Sequence, residues 1–138
     1  MGEYKKAVKN LDLWFSRYIR LRDSRSDYPV CYCVTCGDPH HPKNIQNGHY
    51  VKRNILITRW DDTNCNSQCV KCNNYGKGEE ALHRIELIKK HGQEHVEYLE
   101  SLKTSNIKYS SVELRELAKQ YRKRVNNLLK EKNIDKWW

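Results

Sequence analysis

Two Cys-x-x-Cys pairs, Cys33-Val34-Thr35-Cys36 and Cys69-Val70-Lys71-Cys72, carry the clearest chemistry in this chain. Four thiolates at that spacing surround one Zn²⁺ as a closed tetrahedron, with sulfurs about 2.3 Å from the ion. A closed site has no position for substrate, so the reading is one structural zinc per chain. A redox dithiol would need only one of the pairs. Gly37 permits the tight turn of the first knuckle. Cys31 and Cys65 are left over, as buried small residues or spare thiols. Cys31 is the better substitute ligand of the two, although Cys-x-Cys makes a poorer knuckle. Between the pairs lies Gly48-His49-Tyr50, and Asn73 directly follows the last cysteine. A lone strand histidine is more often a packing or hydrogen-bonding residue than a base, and spacing alone leaves both readings open.

The rest of the composition agrees with a small metal-supported domain. The chain has 138 residues, enough to bury roughly two thirds of its unfolded surface. Hydrophobic residues are only 38% and the mean hydropathy is −0.97. A bound metal can supply stability that a lean core does not. The net charge of +9 favours a polyanionic partner, nucleic acid or an anionic membrane. No apolar run approaches a membrane span, the start Met1-Gly2-Glu3-Tyr4 does not read as a signal peptide, and Tyr4 and Lys6 do not fit a myristoylation pattern. A cytosolic location and no membrane are expected. In that compartment cysteines serve metals before disulfides.

Helical spacing of Leu11, Trp14, Phe15, Tyr18 and Arg22 predicts a first helix over 5–23. Its arginines are either a solvated basic edge or phosphate contacts. A loop over 24–29 follows, then a short strand running into the first knuckle at 31–37. Asp38 to Pro42 reads as a loop whose His40 and His41 are exposed, the cysteines having filled the metal site. Residues 45–51 read as a strand with Ile45, Asn47, His49 and Val51 on one face. Ile57 to Trp60 reads as the returning strand, closed by the turn residues Asp61 to Asn64. The second knuckle should start a helix that Gly76 and Gly78 break. Further helices are predicted over 79–91 with Leu82, Ile85 and Ile88 inward, over 94–102 on Val96, Leu99 and Leu102, and over about 110–132. Ser110 and Glu113 fit a capping box for the last. Its apolar stripe and Trp137-Trp138 either meet a second copy or pack on the same chain. Net positive charge concentrates in residues 1–30, 31–78 and 110–138, whereas 79–109 is slightly acidic.

The order Cys-x-x-Cys, Gly-His, Asn, Cys-x-x-Cys-Asn resembles the His-Me finger (HNH) nucleases, and among them the zinc-bearing endonuclease VII type. It is closer still to the lambda NinG family, also called Rap, of phage recombination endonucleases. The resemblance is carried by Leu11 to Asp23, Cys33 to Gly37, Gly48-His49-Tyr50, Thr58-Arg59-Trp60-Asp61, Asn64, Gln68 to Asn73 and Arg84 to Ile88, roughly residues 11–100. The final helix carries no matching motif. The resemblance implies an α+β, mostly helical fold with a zinc-clamped, treble-clef-like ββα-metal core. Residues 1–30 would form a basic helix packed on the core, 31–92 the nuclease core with its following helix, and 93–138 the C-terminal helices, one compact domain overall.

It also implies His49 as general base, Asn73 as ligand of a catalytic Mg²⁺ or Mn²⁺, and Asn64 as the brace of the hairpin loop. The activity implied is metal-dependent DNA hydrolysis to 5′-phosphate and 3′-hydroxyl on branched recombination intermediates, in the cytoplasm of a phage-infected bacterium. A homodimer would supply two active sites, and phage recombination proteins are possible partners. Arg17, Arg20, Lys52, Arg53, Arg59, Lys71 and Lys77 are the candidate DNA contacts. Many HNH enzymes carry an aspartate before the histidine as a second metal ligand, where this chain has Gly48. The rival readings are a non-catalytic zinc-dependent DNA-binding module and an RNA-binding structural protein, for which no stacking motif is seen.

Overall fold

Helix α1 spans Glu3–Arg22 because Ala7, Leu11, Phe15 and Ile19 recur at four-residue intervals and bury one stripe. The neighbouring stripe is polar: Asp12, Ser16 and Arg20. A computed structural model of the chain describes residues 2–26 and 28–138, so Met1 and Asp27, the latter in the predicted loop, lie outside it. After that loop, β1 (Cys31–Tyr32) pairs antiparallel with β2 (Pro39–His40), Cys31 opposite His40. The predicted loop at 38–42 therefore begins as a second short strand. Gly37, at φ +79°, makes the intervening turn, its N–H donating to the Cys33 carbonyl at 2.9 Å.

Strand β3 (Gln46–His49) is where a strand was expected, but its partner is not. The returning strand is β4 (Cys65–Gln68), with His49 opposite Cys65 and Gly48 opposite Asn66. Ile57 to Trp60, predicted as that strand, instead belong to the single-turn helix α2 (Leu56–Arg59) and its C-cap. A short apolar run has no period that separates strand from helix. All four β4 residues are buried, so the true strand shows no polar–apolar alternation to betray it. The knuckle helix is likewise shorter than expected. It is one turn of π-helix, Lys71–Tyr75, ended at Gly76 and turned by Gly78 at φ +88°.

Helices α3 (Glu80–His91), α4 (Gln93–Ser101) and α5 (Ser111–Lys132) complete the chain. The predicted inward face of α3 is wrong: Leu82 and Ile85 are about half exposed, at 48% and 50%. His83 and Leu87 are the buried pair instead, one turn apart, joining Tyr50, Val51, Val96 and Leu99, with Ile88 half-buried beside them. A buried imidazole on the core face shifts the stripe by one residue from where hydropathy alone puts it. Ser110 caps α5, its Oγ accepting from the Glu113 N–H at 3.1 Å.

α5 lies along α1. Tyr121 packs edge-on against Phe15, ring centroids 4.9 Å apart, and Trp138 against Trp14 at 6.0 Å. Lys132 Nζ donates to the carbonyls of Leu21, Arg22 and Ser24 at 2.6–2.8 Å, a cation placed on the negative end of α1. The apolar stripe of α5 is thus spent within the chain. The fold is α+β and mostly helical, with two two-stranded sheets. Among the described residues no helix is long and apolar enough to cross a membrane.

Candidate functional site

The turns before β2 and after β4 bring Cys33, Cys36, Cys69 and Cys72 together. Their sulfurs all lie within 4.8 Å of one another, and Cys36 and Cys69 are 3.8 Å apart. A tetrahedron with bonds of about 2.3 Å has edges of roughly 3.8 Å, so the donor set fits a four-thiolate metal. The Cys69 N–H donates to the Cys33 sulfur at 3.3 Å, the kind of bond that stabilises a thiolate. Three of the four are buried and Cys36 is exposed. Cys31 and Cys65 are fully buried and outside the cluster.

A polar groove of about 490 Å³ lies beside this centre. His49 and Asn73 both line it, with Arg20 and Arg53 from the predicted DNA contacts. The His49 Nε2 lies 2.9 Å from the Arg59 carbonyl, which can only accept, so Nε2 carries the proton and Nδ1 keeps its lone pair. Nδ1 has no partner among the described residues. Burial lowers the His49 pKa to about 4, with Arg53 and Arg59 adding to the effect and Asp12 and the Arg59 carbonyl opposing it. The ring is therefore neutral at pH 7. Asn73 Nδ2 donates to Gln46 Oε1 at 2.8 Å, and its oxygen has no partner among the described residues.

Asn64 is fully buried behind the groove. Its Nδ2 donates to the carbonyls of Val51 and Thr58 at 3.0 and 3.1 Å, and its Oδ1 accepts from the Val51 N–H at 2.8 Å. One side chain thereby staples the start, middle and end of the β3–β4 connection. Gly48 has a steric reason. A Cβ there would meet Gln68 Cβ at 2.8 Å and collide with Gln68 Oε1. Gln68 is itself held by donating to the Gly78 carbonyl at 2.8 Å and to Thr35 Oγ1 at 3.2 Å.

The remaining predicted contacts separate. Lys71 and Lys77 are exposed, and Lys52, also exposed, donates to the Lys77 carbonyl at 3.2 Å. Arg17 lies over the rings of Trp14 and Trp138, at 4.7 and 4.0 Å, outside the groove. The Arg59 guanidinium is forked onto Asp12, at 3.0 and 2.6 Å, and its side chain is only 13% exposed. Missed in the sequence were Asp12, Lys43, Gln46 and Asn47, which also line the groove. The four-residue spacing of Asp12, Ser16 and Arg20, a polar stripe on an otherwise packed helix, was the available signal for α1.

Residues 2–131 match the model of the family described as Bacteriophage Lambda NinG protein. Protein ninG of Escherichia phage 933W is 30% identical over 132 residues, covering 90% of this chain and 62% of that protein. Protein ninG of Escherichia phage lambda is 28% identical over 132 residues, covering 90% of this chain and 61% of that protein. Protein ninG of Enterobacteria phage H19B is 44% identical over 105 residues, covering 70% and 49%. The chain thus spans about three fifths of the length of the first two of these relatives. No solved structure matches. With the family match running through both knuckles, His49, Asn64 and Asn73, the chain belongs to the bacteriophage lambda NinG family.

Proposed function

We propose that this chain is a metal-dependent DNA endonuclease of the HNH (His-Me finger) type, acting on branched recombination intermediates. The observation that carries the reading is the pinned imidazole: Nε2–H is tied to the Arg59 carbonyl, which leaves Nδ1 as the basic nitrogen of a ring that lines a groove shared with Asn73. His49 takes a proton from water at Nδ1 and aims the resulting hydroxide at phosphorus. A positioned base contributes on the order of 10²–10⁴ in rate. Arg53 and Arg20, at the groove wall, counter the phosphate charge.

The oxygen of Asn73 and the buried Oδ1 of Asn47, neither partnered among the described residues, are hard neutral donors suited to Mg²⁺ or Mn²⁺. Such an ion, when bound, stabilises negative charge on the phosphate and the leaving 3′ oxygen. Position 48 cannot contribute, because Gln68 fills the space. The four cysteines hold a structural zinc that sets the knuckle against β3. Cutting opposed strands of a junction calls for two sites, hence a homodimer. Since α5 is occupied by α1, that dimer would use another surface. The setting proposed is the cytoplasm of a phage-infected cell, alongside phage recombination proteins.

The test is cleavage of a four-way junction and of linear duplex, with Mg²⁺ or with EDTA. Product bearing a 5′-phosphate, dependent on Mg²⁺, is expected from the wild type. His49→Ala should lose at least about 10²-fold in rate while still binding DNA. Cutting by His49→Ala at the wild-type rate would overturn the mechanism. Binding without any cutting by the wild type would make the chain a DNA-binding module.

A further inference from the structure

The peptide between Arg59 and Trp60 is gripped from both sides by one carboxylate 47 residues upstream of Arg59. Asp12 Oδ1 accepts from Arg59 Nε at 3.0 Å and from Trp60 Nε1 at 2.9 Å, and Oδ2 accepts from Arg59 Nη2 at 2.6 Å. Arg59 Nη1 donates in turn to the Arg53 carbonyl at 3.0 Å, tying down the approach to α2. The carbonyl of that same peptide receives the His49 Nε2–H. It sits in the segment between β3 and β4, which α2 and the Asn64 staple also hold, as do Cys65 Sγ on the Arg59 carbonyl at 3.9 Å, the Tyr121 hydroxyl on the Trp60 carbonyl at 3.4 Å and Arg22 on the Asp62 carbonyl at 2.7 Å. Asp12 stands on α1, a 20-residue helix packed against α5.

We infer that Asp12 is a positioning residue for His49: through the side chains of Arg59 and Trp60 it fixes the carbonyl that selects the imidazole tautomer and aims Nδ1 into the groove. Its effect on rate rests on the nuclease reading, whereas its effect on the tautomer is a property of the DNA-free protein. Asparagine at position 12 would present an N–H₂ to the Arg59 fork, opposing one of the three bonds it replaces. The grip then loosens without removing volume.

The experiment is nitrogen-15 NMR of the histidine side chains, with His49 assigned by its loss in His49→Gln, on zinc-loaded wild type, Asp12→Asn, Arg59→Lys and Trp60→Phe. The wild type should show a single Nε2–H tautomer for His49, and Asp12→Asn and Arg59→Lys an exchanging mixture. On junction DNA, the same two variants should lose about 10–100-fold in kcat with KM within about twofold, because the base is misaimed and the binding surface is kept. A variant combining Asp12→Asn with Arg59→Lys should be no worse than the poorer single one, as expected for residues acting as one unit. A wild-type tautomer and a wild-type kcat in Asp12→Asn, or additive losses in the double variant, would overturn the inference. Should Asp12→Asn fail to fold, Arg59→Lys and Trp60→Phe decide the matter. If the wild type cuts nothing, the nuclease reading falls, and an unshifted tautomer would then sink this inference separately.

Discussion

His49 and His83 are both held neutral inside the protein, each with its pKa lowered to about 4, first by burial. The unfolded chain would protonate both near pH 6.5. Between pH 6.5 and 4 the unfolded state therefore binds more protons than the folded one, and stability falls as the pH falls. The full effect is roughly 3 kcal/mol for each histidine, present above pH 6.5 and spent by pH 4. Urea unfolding at pH 7.0 and 5.0 should show the drop, and His83→Gln should make it shallower. An unchanged midpoint would mean the rings are hydrated. At this scale the residue order already pointed to His49, Asn64 and Asn73. Asp12 and Gln46 stayed hidden because each acts through a contact with a distant segment, and no spacing encodes that.

The elements divide between those that stand alone and those that need a partner. α1, α4 and α5 were legible because each carries an apolar stripe of its own. The exchange of α2 for β4 was not, since Cys65 to Gln68 become a strand only by pairing with β3. The knuckle is the hinge of that pairing: zinc would tie the turn before β2 to the end of β4. Cys36→Ser should lose the metal and unfold the module, since structural zinc contributes on the order of 10 kcal/mol in small fingers. Cys65→Ser should keep one zinc per chain and cost only about 1–3 kcal/mol for burying a hydroxyl. Metal analysis of the purified variants, followed by chelator challenge, checks both. Equal retention of zinc by the two proteins would remove Cys36 from the ligand set.

Across the whole molecule the groove lies where α1 meets β3 and the π-turn, and basic side chains rim it. Lys43 and Arg53 stand at its wall, Lys71 and Lys77 are exposed on the knuckle segment and Lys52 on the β3–β4 connection, and Lys6 and Lys9 line a hollow that shares Asp12. If about six phosphates are neutralised, the logarithm of the DNA association constant should fall with the logarithm of salt at a slope near −5. Fluorescence anisotropy over a salt series measures it, and a slope near zero would mean the +9 charge is not used on DNA. The net charge was plain in the sequence. The docking of α5 on α1, which settles where Trp137 and Trp138 go, was not, because two amphipathic helices can pair within a chain or between copies by the same stripe.

Gln68 beneath Gly48 makes the two positions mutually dependent in their packing. The first carbon of any side chain at 48 already collides with Gln68. Position 68 must shrink before 48 can grow, and shrinking it gives up the bonds to Gly78 and Thr35 that steady the knuckle. A larger residue at 48 therefore comes at the expense of the knuckle.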